Sequence, residues 1–253
     1  IELNPTRLSY FQYASCLFNR KELDAAKRNL YEAKSLSEQD IIHESFLDAG
    51  QCAINFAKTI SVSQPSLDYS KDSITLKKQR LDRLILNLPV KSDLLSYLYS
   101  LKNRKLEITT DGRYGEGVCS TDFDLFKDHS PIIKTLVKEI SDICKKALDI
   151  TEIVFSDSFY NIFISGSGAI PHAHRNPLDK NFDLYLHKYT LVYYLDIGDQ
   201  TGEDPGILKI YNPNEDILPT NGMIVIIDSN RFHSVSYRGN KDRVMIGVNF
   251  YGF

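Results

Sequence analysis

From Ile153 to Phe253 the chain alternates apolar and polar residues in short runs, each cut from the next by Gly, Pro, Asn or Asp. Strand-like runs fall at 153–155, 159–165, 190–196, 207–211, 223–228, 232–237 and 243–251. A further one at 106–109 brings the set to about eight. No helical pattern separates the runs after 153, which argues against a doubly wound parallel sheet. The expected fold there is a jelly roll, or double-stranded β-helix.

The front of the chain reads differently, being rich in Leu, Ala, Lys and Glu, so the whole is expected to be α+β. Asn4-Pro5-Thr6 opens a helical pattern carried by Tyr10, Tyr13, Ala14 and Leu17. A second run carries Leu23, Ala26, Leu30 and Ala33, and the small Ala14 and Ala26 let the two helices approach closely. The spacing over 4–37 resembles one tetratricopeptide repeat, with a degenerate second unit at 39–60. Such units bury their apolar faces only by stacking on neighbours, so this region is expected to pack on the helices that follow or to end a longer array.

Residues 63–73 read as a linker, and helices are expected at 74–88, 92–101 and 132–148, the last with Ile133, Leu136, Ile140, Ile143 and Cys144 on one stripe. Residues 105–110 look strand-like, and 111–117 form a glycine-rich loop. No helix opens directly after that loop, so it is not a dinucleotide-binding fingerprint. The expected organisation is a helical region at 1–70, connecting helices at 71–104, and a barrel at 105–253.

Thirty Lys and Arg against 33 Asp and Glu give a net charge of −3, with no overall attraction for nucleic acid or an acidic membrane. The basic stretch Lys77-Lys78-Gln79-Arg80 with Arg83 reads as the solvated face of a helix. Cys16, Cys52, Cys119 and Cys144 are far apart and form no metal knuckle or disulfide frame, so a reducing, cytoplasmic setting is expected. No apolar run is long enough to span a bilayer. The chain starts at Ile1 rather than Met, so a preceding segment is expected to be missing, a targeting signal or further repeats among the options.

Within the barrel stands Pro171-His172-Ala173-His174, with His233 on a later strand and Arg243 ten positions beyond it. In an extended segment, residues two apart share a face, so His172 and His174 can both point inward. With His233 they form an open three-imidazole site suited to Fe(II) and O2. His43, His129 and His187 lack such a setting. Arg243, expected on the strand beside that of His233, can grip a carboxylate bidentately. A surface ion pair with Asp228 or Asp242 is the plainer alternative.

An ordered series of segments carries a family resemblance. It runs Asn161-Ile162-Phe163, Ile170-Pro171-His172-Ala173-His174, Thr190-Leu191-Val192-Tyr193-Tyr194-Leu195 and Gly206-Ile207-Leu208-Lys209-Ile210. Pro219-Thr220-Asn221-Gly222-Met223-Ile224-Val225-Ile226, His233-Ser234-Val235 and Arg243-Val244-Met245-Ile246-Gly247-Val248-Asn249-Phe250 complete it. Over about 109–253 the chain resembles the 2-oxoglutarate- and Fe(II)-dependent oxygenases related to prolyl and aspartyl hydroxylases.

The resemblance implies that His172 and His233 ligate iron and that Arg243 binds the C5 carboxylate of 2-oxoglutarate. It implies O2 as co-substrate and a hydroxylated protein, peptide or small molecule as product. Most members carry Asp or Glu where this chain has His174; a branch with an HxH motif is closer. His174 is therefore a third iron ligand, or a neighbour of the site with water in its place, or Asp179 or Asp183 swings in. Tyr160, Asn161, Tyr193 and Tyr211 are candidates to line the pocket, Tyr160 as a cofactor contact. The alternative reading is a non-catalytic helical adaptor whose barrel holds a structural metal or none; another is a three-histidine dioxygenase that uses no 2-oxoglutarate.

Overall fold

The computed structural model describes residues 6–36, 42–63, 83–106 and 117–253. Helices α1 (Arg7–Asn19) and α2 (Leu23–Ser35) form the expected hairpin. Thr6 and Ser9 close a capping box that satisfies the first amides of α1. Ala14 and Ala26 are fully buried, as close approach requires. The second unit is not a hairpin: a single 20-residue helix, α3 (Glu44–Ser63), occupies it.

Strand β1 (Leu84–Asn87) lies where a helix is expected, because its backbone pairs antiparallel with a later strand. Residues 74–82 lie outside the described residues, as do most of the 63–73 linker, the 105–110 run and the glycine-rich loop. Helix α4 (Ser92–Ser100) follows, then β2 (Asn103–Leu106), β3 (Gly117–Ser120) and α5 (Pro131–Leu148). Ser130 caps α5 and Pro131 opens it, while Ile133, Leu136, Ile140 and Cys144 are buried along the expected stripe and Ile143 is half-buried beside them.

The barrel strands are β4 (Ile153–Phe163), β5 (Ser167–His172), β6 (Lys188–Asp196), β7 (Pro205–Ile210), β8 (Glu215–Ile217), β9 (Met223–Asp228), β10 (His233–Tyr237) and β11 (Arg243–Gly252). They form two antiparallel sheets, ordered β1-β9-β6-β11-β4-β3-β2 and β5-β10-β7-β8. The runs at 153–155 and 159–165 belong to one strand, β4, interrupted by a bulge. Asn249 pairs with Asp157 but Phe250 pairs with Phe155, leaving Ser156 as the extra residue.

Side-chain alternation sorts the larger sheet into two faces. Val244, Ile246, Val248 and Phe250 of β11 turn outward, together with Tyr160, Ile162 and Tyr193, to pack under α4 and α5. Phe163, Tyr194, Val225 and Met245 turn inward and meet Leu208, Ile210 and Tyr237 of the smaller sheet. The helical hairpin packs on α3, as expected, and the three helices together pack on the barrel. The Phe11 ring packs tilted with its centroid 5.3 Å from that of Phe182, in the segment between β5 and β6, and Phe46 lies 6.2 Å from Tyr251 on β11. Phe182, Leu184, Tyr251 and Phe253 thus belong to the helical core. Among the described residues no helix is long and apolar enough to cross a membrane.

Candidate metal centre

His172 ends β5 and His233 begins β10, and the two are direct register partners across the smaller sheet. His174 lies just past the end of β5, where its backbone N–H donates to the Ser229 carbonyl at 3.0 Å. Ring centroids are 4.4 Å apart for His172–His233, 5.1 Å for His172–His174 and 5.2 Å for His174–His233. One nitrogen from each ring lies within 4.8 Å of the others, so a single ion can engage all three.

Carbonyl groups hold two of the rings. The His172 Nδ1 is 2.7 Å from the Ile170 oxygen and the His233 Nδ1 is 3.2 Å from the Arg231 oxygen. A carbonyl only accepts, so both Nδ1 atoms carry the proton and each Nε2 presents a lone pair. His233 is 5% exposed; burial, reinforced by the charge of nearby His172, pushes its pKa down to about 4. A neutral ring is the form a metal requires.

The three imidazoles open on a cavity of about 370 Å³ between the sheets. Alternate residues of the larger sheet line it: Asp157, Phe159, Asn161 and Phe163 on β4, and Met245, Gly247 and Asn249 on β11. Of the expected lining residues only Asn161 is placed there. Tyr160 points to the opposite face of β4, into the core under α4 and α5, because neighbouring strand residues face opposite ways. Tyr193 shares that outer face and donates to the Leu88 carbonyl, while the Tyr211 hydroxyl pairs with Ser234.

Arg243 is not beside the strand of His233. Strand β11 belongs to the opposite sheet, so the guanidinium approaches from the facing wall. It is fully buried, lies 5.1 Å from the Tyr194 ring and 5.7 Å from the Tyr237 ring, and donates through Nη1 to the Pro205 carbonyl at 3.4 Å. Its Nε and Nη2 have no hydrogen-bond partner, and it forms no ion pair with Asp228 or Asp242 among the described residues. Burial pulls its pKa down, an effect that Tyr194 and Tyr237 oppose. Asn161 Oδ1, on the cavity wall, is likewise buried without a partner. Unsatisfied buried polar atoms are costly unless a polar ligand pairs with them.

Asp179 is committed elsewhere, accepting from Lys188 Nζ at 2.9 Å, Tyr251 Oη at 2.7 Å and the Asn176 amide at 3.0 Å. Neither it nor Asp183 lines the cavity. Asp157, which sequence reasoning missed, is a carboxylate linked to the imidazoles through hydrogen bonds. Its Oδ2 is 3.4 Å from Asn249 Nδ2, and that same nitrogen is 3.3 Å from His174 Nδ1. The signal available was the Asn249 within the final strand, two residues from the glycine of Ile246-Gly247-Val248.

No family model and no curated protein matches the chain. Solved structures do. One is an oxidoreductase of the 2OG-Fe(II) oxygenase family from Burkholderia pseudomallei, at 12% identity and TM-score 0.50, covering 70% of this chain and 87% of that one. Another is a viral collagen prolyl hydroxylase from Paramecium bursaria Chlorella virus-1 in complex with 2OG, at 12% identity and TM-score 0.50, covering 68% and 97%. At such identity the likeness establishes a shared fold.

Proposed function

We propose that this chain is an Fe(II)- and 2-oxoglutarate-dependent dioxygenase that hydroxylates a protein, peptide or small-molecule substrate. One observation carries the reading: three imidazoles converge on one cavity, while a fully buried guanidinium on the facing sheet keeps two donors unpaired. His172, His174 and His233 would hold the iron, with the Ile170 and Arg231 carbonyls fixing two of the rings. Nε and Nη2 of Arg243 would take the distal carboxylate of 2-oxoglutarate, which offers the two acceptors they lack.

With iron and 2-oxoglutarate bound, O2 and the keto acid are consumed to give a hydroxylated product, succinate and CO2. The protein's own contribution is positioning and exclusion of water. Phe163, Leu208, Val235 and Met245 form an apolar lining around the buried end, strengthening the Arg243 pairing by lowering the local dielectric. The helical front end, read as a tetratricopeptide-like unit, supports a peptide as the hydroxylated substrate; Tyr13 and Tyr31 remain exposed on α1 and α2.

The test is succinate release from 2-oxoglutarate by the anaerobically iron-loaded protein after admission of O2, measured over a panel of peptides and small acids. His172→Ala and His233→Ala should abolish it. A wild-type protein that never consumes 2-oxoglutarate, even without substrate, would overturn the proposal.

A further inference from the structure

Asp157, Asn249 and Thr190 form one row across three strands, Asn249 being the register partner of both. All three line the cavity that holds the imidazoles. The Asn249 side chain is buried at 4% exposure and fully engaged. Its Oδ1 accepts from Thr190 Oγ1 at 2.8 Å, and its Nδ2 faces Asp157 Oδ2 at 3.4 Å and His174 Nδ1 at 3.3 Å. An ionised carboxylate only accepts, so Asp157 determines which end of the amide carries the hydrogens.

That choice has a consequence for His174. Its Nδ1 meets a donor and must act as acceptor, so the neutral ring keeps its proton on Nε2. His172 and His233 hold theirs on Nδ1, against carbonyls. Two of the three rings are therefore set to ligate through Nε2 and the third is not.

We propose that Asn249 is a positioning residue whose amide reverses when the site takes a metal, presenting Oδ1 to His174 and shifting that ring's proton from Nε2 to Nδ1. No proton is gained or lost overall. Thr190 tolerates both orientations because a hydroxyl can donate or accept. Asp157 favours the unreversed amide, so it acts against metal loading and restores the metal-free arrangement. The inference rests on the metal reading above.

Histidine-labelled protein examined by long-range 1H–15N correlation, without metal and with Zn(II), reports each ring's tautomer directly, and His174→Gln assigns the signal. His174 should be protonated at Nε2 without metal and at Nδ1 with Zn(II). In calorimetric titration with Zn(II), Asn249→Leu should bind about 10–100-fold more weakly. Asp157→Asn should bind more tightly, because its amide can donate to the reversed Oδ1. A merely structural role for the row would weaken both variants. His174 already protonated at Nδ1 without metal, an unchanged tautomer on loading, or weaker binding by Asp157→Asn would each overturn the inference. If the wild type binds neither Zn(II) nor Fe(II), the metal reading fails instead.

Discussion

A Cβ atom placed on Gly206 would overlap the guanidinium of Arg243, so this glycine makes the room the cation occupies. Gly206 also has φ +82°, a conformation that side chains disfavour. Gly206→Ala should therefore cost roughly 1–3 kcal/mol from backbone strain alone, and displace Arg243 as well. A lowered Tm together with weakened 2-oxoglutarate binding is expected; calorimetry in both modes checks it.

Arg243→Lys keeps the charge but removes the planar pair of donors. Binding of 2-oxoglutarate should weaken by on the order of 2 kcal/mol, roughly thirtyfold, with Fe(II) affinity unchanged. Titration of each ligand separately checks this. Equal affinity for 2-oxoglutarate in the variant would show that Arg243 does not hold the keto acid, whereas no binding in either protein would favour a three-histidine site that does not use it.

Much of the barrel was legible in the sequence. The run at 223–228 coincides with β9, and 243–251 with nearly all of β11, because a strand buried on both faces announces itself by a near-continuous apolar run. The 84–87 segment was not legible as a strand: Leu-Ile-Leu-Asn also suits the edge of an amphipathic helix, and pairing with β9 decides the matter. The three residues of β8 are too few to show any period.

The His172, His174 and His233 grouping was likewise visible, since spacing of two and extended backbone suffice to bring two rings to one face. The partner of His174 was not. Asp157 faces inward by the ordinary alternation of β4, in step with Phe159 and Asn161, but it falls in the 156–158 gap between the two strand-like runs, where the bulge at Ser156 breaks the period that would have pointed to it. The sheet that Arg243 enters was also hidden, since an offset of ten residues from His233 is compatible with either sheet.

The buried His233 should make stability pH-dependent in the metal-free protein. Its pKa is near 6.5 in the unfolded chain and about 4 in the fold. Above 6.5 both states are neutral there; as pH falls, the unfolded state binds the proton first, so stability declines until about pH 4. The loss is on the order of 3 kcal/mol. Metal affinity is thus not expected to fall at 6.5 on account of this ligand. Urea unfolding at pH 7 and 4.5 checks the slope, which His233→Gln should flatten.

Phe11 joins the helical hairpin to the barrel through Phe182. Phe11→Ala should cost about 3–5 kcal/mol and lower a single transition. Two separate unfolding steps would show instead that the helices and barrel fold independently.

The central claim is that His172, His174 and His233 hold an iron to which 2-oxoglutarate chelates. Anaerobic addition of Fe(II) and 2-oxoglutarate should produce the weak visible charge-transfer band of that chelate in the wild type, and none in His233→Ala. No band in the folded wild type, or an undiminished band in His233→Ala, would contradict the claim.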